Sequence, residues 1–260
     1  MRYGVCLLPV VPMRTNPAET EEQCSQLLFG DVFYVIDENQ TRVQIETFSD
    51  GYKGWVDKKQ YTEIGRDDFF FLTKAKPLYT SDWVSTVKLT NQKTNQSYDL
   101  RLPFASCLFS NKYTIADFFI EAYGIEFIKC RNFTEEKLLQ YIDMYKCTSY
   151  LWGGKSVFGI DCSGFTQSIF KLFGFALKRD ASLQAMQGSR VDDLESAKAG
   201  DLAFFHNDAG RIVHVGIMLS NNKIVHASGF VRIDRIDSKG IWRQEDNQYS
   251  HFLAEIRRYF

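Results

Sequence analysis

Cys162 stands in the run Gly159-Ile-Asp-Cys-Ser-Gly164, where a helical period begins: Phe165, Ile169 and Leu172 recur on one face, and Gly174 follows as a stop. A helix start carries unpaired N–H groups and about half a positive charge, which favour a thiolate and offer donors to an oxyanion. A cysteine placed there can act as a nucleophile. The approach Tyr150-Leu-Trp-Gly-Gly supplies glycines that let a substrate backbone come close. An isolated cysteine of this kind is ordinarily a small buried hydrophobe, so the chemistry depends on a base.

Histidine is scarce, with residues only at 206, 214, 226 and 251, so their settings can be compared one by one. In Val213-His-Val-Gly-Ile217, strand alternation sends the three apolar side chains to one face and His214 to the other with Gly216. His226 lies in Ile224-Val-His-Ala-Ser228, the next predicted strand. Two neighbouring antiparallel strands would bring these imidazoles side by side, one to take the thiol proton and one to orient it. His206 and His251 fall in no such pattern and are read as surface or packing residues.

The elements that must position this set fall into three stretches. Residues 1–65 alternate short apolar runs with turn signals, as in GVCLLPVVPM, QLLFGDVFYVID, RVQIETF, DGYKGWVD and QYTEI, which predicts five strands of a small barrel. Residues 66–128 stay rich in aromatic and β-branched residues, as in DDFFFLT and STVKLT, and are expected to form a second small β-rich module or a linker. From 129 to 260 the period changes. Thr134 can cap a helix with Glu135 and Glu136 in its first turn and Leu138, Ile142 and Tyr145 in its stripe; the helix at Cys162 follows; strands return after Gly200. Helices followed by antiparallel strands predict an α+β domain.

Composition narrows the function classes. With 31 basic against 32 acidic residues and no block of like charge, nothing marks a nucleic-acid or anionic-membrane partner. No apolar run approaches the ~20 residues of a membrane span. The six cysteines, at 6, 24, 107, 130, 147 and 162, form no C-x-x-C pair, so neither structural zinc nor a disulfide framework is expected, and most should be buried thiols. No metal or organic cofactor is called for. The opening MRYGVCLLPVVPMRTNP reads as a first strand and not as a leader, which sets the expectation of a cytoplasmic protein, or a periplasmic or secreted one if a leader has been removed. A monomer is expected.

The set YLWGG, DCSGF, HVGI and VHASG, in that order, closely resembles the NlpC/p60 cell-wall peptidases, a compact papain-like group, over about residues 130–260. The N-terminal stretch, with QLLFGD and GYKGWV, resembles a bacterial SH3-like domain. Together they resemble the YkfC-like endopeptidases, which cut between γ-linked D-glutamate and a diamino acid in murein peptides whose L-alanine is free. The resemblance implies Cys162 as nucleophile, His214 as base and acid, and His226 as the orienting third member. It further implies that Asp161 pairs with the free ammonium of L-alanine, with Tyr52 and one of Glu19, Glu21 and Glu22, Glu22 foremost. Tyr150, Trp152, Ser163 and Ser182 of Arg179-Asp-Ala-Ser-Leu-Gln184 would then line the D-glutamate subsite. The residues alone leave two other uses open: a wall-peptide binding module, or an amidase or acyltransferase with the same site.

Overall fold

The computed structural model describes residues 1–129 and 132–260, which divide into two compact units, Met1–Cys130 with Lys155–Val157 and Arg131–Gly154 with Phe158–Phe260. Among the described residues no helix is long and apolar enough to cross a membrane.

The first unit begins with strands Arg2–Val5 (β1), Val10–Arg14 (β2), Gln23–Leu28 (β3), Val32–Glu38 (β4), Arg42–Thr47 (β5), Lys53–Asp57 (β6) and Thr62–Ile64 (β7), ordered β3-β2-β6-β5-β4-β1-β7. Seven strands form where five were expected. Two of the predicted runs are split, because a turn falls inside GVCLLPVVPM and another at Gly30, whose φ of 89° suits glycine alone. Val11, Met13, Leu27, Phe33, Val43, Ile45 and Val56 alternate inward to make the core of this sheet. Thr47, Asp50 and Tyr52 close the β5–β6 turn by hydrogen bonds to one another.

DDFFFLT, grouped above with the strand-like runs, lies instead in helix Arg66–Lys74 (α1), which buries Phe69 and Leu72; Asp67 and Asp68 in its first turn complement the helix dipole. Strands Leu78–Thr80 (β8), Val84–Asn91 (β9), Ser97–Pro103 (β10), Cys107–Leu108 (β11), Lys112–Ile115 (β12), Phe118–Ala122 (β13) and Phe127–Lys129 (β14) then form two small sheets, β10-β9-β13-β12 and β11-β8-β14. These residues share one core with the first sheet: Val5, Leu7, Phe29 and Ile64 pack with Phe69, Leu72, Val87, Leu102 and Ile120. Residues 66–128 are therefore integral to the first unit. Within it, Lys155 N–H donates to Gln26 Oε1 at 2.8 Å.

The second unit opens with helix Glu135–Asp143 (α2), capped as expected by Thr134 Oγ1, which accepts from Lys137 N. The short strand Lys155–Ser156 (β15) belongs to the first unit, and in the second Gly159–Ile160 (β16) precedes helix Cys162–Phe170 (α3). A single 3-10 turn extends α3 to Gly174, left-handed at φ 86°. After the short helix Ala181–Gln184 (α4) come Ser189–Val191 (β17), Leu202–His206 (β18), Ile212–Ser220 (β19), Lys223–Ser228 (β20), Phe230–Ile236 (β21), Gly240–Arg243 (β22) and Gln248–Arg258 (β23). The expected antiparallel sheet is present, but it is not open. The eleven-residue β23 pairs with β18 along one edge and β22 along the other, so six strands, β23-β18-β19-β20-β21-β22, close into a barrel. Register shifts in β18, β19, β22 and β23 supply the bends that closure needs. Phe205, Met218, Ile224, Ile236, Ile241 and Ile256 form its core, and α3 packs on β19 and β20.

Cys130 lies outside the described residues. Cys6 and Cys162 are buried, Cys24 and Cys107 half-buried and Cys147 exposed, so the expectation of mostly buried thiols holds only in part.

Candidate active site

Asp161 is the N-cap of α3. Its Oδ1 accepts from Gly164 N at 2.7 Å and its Oδ2 from Gly153 N at 2.8 Å, which ties the helix start to the glycine-rich approach. Gly164 has to be glycine, because a Cβ would run into the Gly154 carbonyl. The fully buried Arg179 then grips both carboxylate oxygens, Nη1 to Oδ1 at 3.0 Å and Nη2 to Oδ2 at 2.6 Å, and also donates to Ser163 Oγ at 2.9 Å. Gln184 holds the same helix from behind: it accepts from Thr166 Oγ1 at 2.7 Å and donates to the Ser163 carbonyl at 3.1 Å. In RDASLQ, then, the buried anchors are the first and last residues, which the sequence reading passed over for Ser182. Ser182 itself is exposed on α4.

This anchoring sets Cys162 at the first turn of α3, 6% exposed. Burial, followed by the charge of Asp161, pushes its thiol up to about 12; N–H groups of Val215 and Ser163 and the Arg179 charge oppose the rise without cancelling it. The expected lowering by the helix start is thus outweighed by desolvation, and the resting sulfur is a thiol. The Val215 N–H at the sulfur also puts Cys162 beside the residue that follows His214. Tyr150 is close as well: burial first, then Cys162 and Asp161, drive its phenol upward.

His214 and His226 meet because of Gly216. In register Gly216 faces His226, so His214 is its diagonal neighbour on the same face; a Cβ at 216 would stand 2.9 Å from the Cβ of His226. With that space open, His214 Nε2 and His226 Nδ1 lie 2.8 Å apart. His226 Nε2 lies 2.9 Å from Asp234 Oδ2, and Arg232 clamps that carboxylate through Nε and Nη2, each at 2.7 Å. Burial works to raise Asp234, but the bonds from His226 and Arg232 prevail and hold it below the usual carboxylate range. An ionised carboxylate only accepts, so His226 carries its proton on Nε2 and, while neutral, accepts at Nδ1. His214 must then donate from Nε2. That leaves the lone pair on His214 Nδ1, the tautomer a base requires. Burial, His226 and His251 together hold His214 well below its ordinary value, so it rests neutral.

His251, read from sequence as a surface or packing residue, belongs to this cluster. Its ring stacks on His214 at 4.0 Å between centroids and 21° between planes, and meets His226 edge-on at 5.7 Å. Asp234 and His251 were both missed. A hairpin turn at Gly229 would have paired His226 with Arg232 and so made Asp234 its diagonal neighbour; nothing local signals the pairing of β23 with β22 that brings in His251. His206 is elsewhere on the barrel, bonded to the Asn207 carbonyl.

The ligand atoms of His214, His226 and His251 fall within 4.8 Å of one another, the donor set of a zinc site. Their geometry does not suit one. The stacked rings of His214 and His251 direct their in-plane lone pairs side by side instead of toward a common point, and both nitrogens of His226 are engaged by His214 and Asp234.

Among the remaining expected site residues, Tyr150 is half-buried and Trp152 is 59% exposed. Ser163 is buried, with its hydroxyl in the Asp161–Arg179 network. Tyr52 and Glu22 belong to the first unit. Glu19 is bonded to Arg14 and Arg42 and Glu21 to Asn16, while Glu22 is exposed and its carboxylate has no partner among the described residues.

A thiol at an anchored helix start, beside the strand of a buried imidazole in the basic tautomer, is the arrangement a cysteine hydrolase requires. Residues 147–250 match the NlpC/P60 family model, and residues 13–60 match that of the bacterial dipeptidyl-peptidase SH3 domain. The γ-D-glutamyl-L-lysine dipeptidyl-peptidase of Bacillus subtilis is 31% identical over 78% of this chain and 71% of its own length; the Bacillus cereus protein of that name is 27% identical over 78% and 66%. The crystal structure of an NlpC/P60 family protein from Bacillus cereus superposes with a TM-score of 0.81 over 99% of both chains at 20% identity, a likeness of fold. The chain belongs to the NlpC/P60 family and is a cysteine peptidase with an SH3-like N-terminal domain.

Proposed function

We propose that this peptidase hydrolyses the γ-D-glutamyl–diamino acid bond of murein peptides that begin with a free L-alanine, with Cys162 as nucleophile, His214 as base and acid, and His226 as the orienting group. The observation that carries the reading is the chain of hydrogen bonds from Asp234 through His226 to His214, which leaves Nδ1 of His214 as an acceptor on the strand that touches the sulfur.

Thiolate and imidazolium are each disfavoured by burial, so the proton passes from sulfur to His214 Nδ1 as the sulfur attacks the γ-glutamyl carbonyl, and the two charges form as a mutually attracting pair. The Cys162 N–H, which has no partner among the described residues, is available to the developing oxyanion. His214 returns the proton to the leaving amine, giving a thioester. It then takes a proton from water as the water oxygen attacks the thioester carbonyl, and gives that proton to the sulfur as the C–S bond breaks and the acid leaves. His226 and Asp234 keep His214 in the same tautomer throughout.

Substrate choice rests on the names of the relatives and on family resemblance. Tyr150, Trp152, Ser163 and Ser182 are the proposed D-glutamate contacts. For the ammonium, Asp161 is already neutralised by Arg179, so the pair contributes little net charge and a further acid is needed. Glu22 is proposed for it, assisted by Tyr52.

Mass spectrometry of products from L-Ala-γ-D-Glu-diaminopimelate, its L-lysine counterpart and their N-acetylated forms tests the reading. The expected result is cleavage of free-amine peptides after D-glutamate, no cleavage of acetylated ones, and no turnover by Cys162→Ala. Equal cleavage of acetylated peptide would remove the terminus-reading role, and turnover by Cys162→Ala would remove the mechanism.

A further inference from the structure

The bond from His214 Nε2 to His226 fixes one point of the base and not its plane. A ring held at a single nitrogen can still tilt about that contact, and its Nδ1 lone pair, which lies in the plane, swings with it. A second restraint must therefore act on the face of the ring. That face is met by His251, from β23, at 4.0 Å and nearly parallel. Phe205 of β18 contacts both rings, at 5.8 Å from His214 and 6.0 Å from His251, and completes the packing.

His251 is itself well fixed. Its Nδ1 lies 3.0 Å from Ser250 Oγ, its backbone pairs with Ile241 of β22, and its ring abuts the edge of His226. The charged and titratable groups around it are His214 of β19, His226 of β20, Asp234 of β21 and Arg243 of β22. Burial first, then His226 and Arg243, bring His251 down to about 4, with Asp234 opposing. At neutral pH the stacked ring is therefore uncharged, and an imidazolium formed on His214 faces an aromatic surface and not a second cation.

We propose that His251 is a positioning residue: its ring, stacked on His214, holds the general base in the plane that presents Nδ1 to Cys162. The inference rests on the reading of Cys162 and His214 as nucleophile and base but not on the identity of the peptide. It extends the relay to a fourth strand of the barrel, so that Asp234, His226 and His251 restrain His214 along its edge and across its face.

The test is the rate at which iodoacetamide alkylates Cys162 between about pH 4 and 8, in wild type, His251→Ala and His251→Phe, since alkylation needs the base but no peptide. For His251→Ala the expected result is a fall of about 10- to 100-fold at neutral pH, the scale of a misoriented catalytic group. Its acid limb should also move up toward the ordinary histidine value, as water enters beside His214. His251→Phe, which keeps a flat ring, should return the rate to within about threefold of wild type. A folded His251→Ala protein, by near-ultraviolet circular dichroism, with wild-type rate and profile overturns the proposal. So does His251→Phe as slow as His251→Ala, which would assign the effect to a ring nitrogen. If His251→Ala does not fold, His251→Phe decides by the same measure. Failure to cleave murein peptides with alkylation behaving as described would defeat the substrate assignment alone.

Discussion

Burial and hydrogen bonding act on Cys162 and His214, the proposed nucleophile and base, in ways that can be measured separately. His214 sits well below 6.5 because desolvation and its histidine neighbours disfavour its cation, so it stays a base in mildly acid solution. The sign follows: as pH falls, kcat/KM is lost only when His214 takes up a proton, so the acid limb should be centred below 6.5. A limb at or above that value would contradict the buried, neutral resting state. Asp234 tests the tautomer. In Asp234→Asn an amide N–H can face His226, which would reverse both imidazoles and put a proton on His214 Nδ1; kcat should fall by about 10²- to 10⁴-fold with the protein still folded. Steady-state kinetics on the same peptides reads this directly. Cys162, His214 and His226 were legible in the sequence as candidates, because glycine-flanked motifs and strand alternation mark them. Asp234 and His251 were not. Their proximity depends on strand register, which no local pattern fixes.

The helix start at Cys162 is held by an internal ion pair more than by its own propensity. Asp161 caps α3, and Arg179 arrives from the following loop to satisfy both of its oxygens in a site that excludes water. Removing one partner leaves a buried, unpaired charge. Arg179→Leu should therefore lower unfolding stability by about 3–5 kcal/mol, read as a drop in the urea midpoint at constant m-value. Loss of peptidase activity should accompany it even below the transition, since the carboxylate that caps the helix would be released. Cys162 as a helix start and Gly174 as its stop followed from the apolar period. The role of Arg179 did not, because a cation in a polar loop looks solvated until the fold buries it.

At the scale of the molecule, one of the two cores of the first unit is shared by two sequence stretches. Val5, Leu7 and Phe29 of the first sheet pack with Leu72, Val87, Leu102 and Ile120 from beyond residue 65. A fragment ending at residue 65 would expose that apolar face, so it should be insoluble or lack cooperative unfolding, whereas a fragment of residues 1–129 carries both halves of the core. Thermal unfolding followed by circular dichroism distinguishes them. A stable, cooperative 1–65 fragment would show that the second stretch is a mere appendage.

Sequence by itself determined the candidate reacting groups, the α2 and α3 helix starts, and the expectation of an SH3-like beginning and a peptidase end, since each is written in short-range features: motif residues, a capping threonine, a change of period. Only the tertiary structure decided that the sheet closes into a barrel, that Arg66–Lys74 is a helix, and that Asp234, Arg179 and His251 contact the candidate site. The reason is common to all three. Pairing of β23 with β18 and β22, burial of Phe69, and compensation of a buried charge are long-range gains, and residues far apart in the chain acquire them only together.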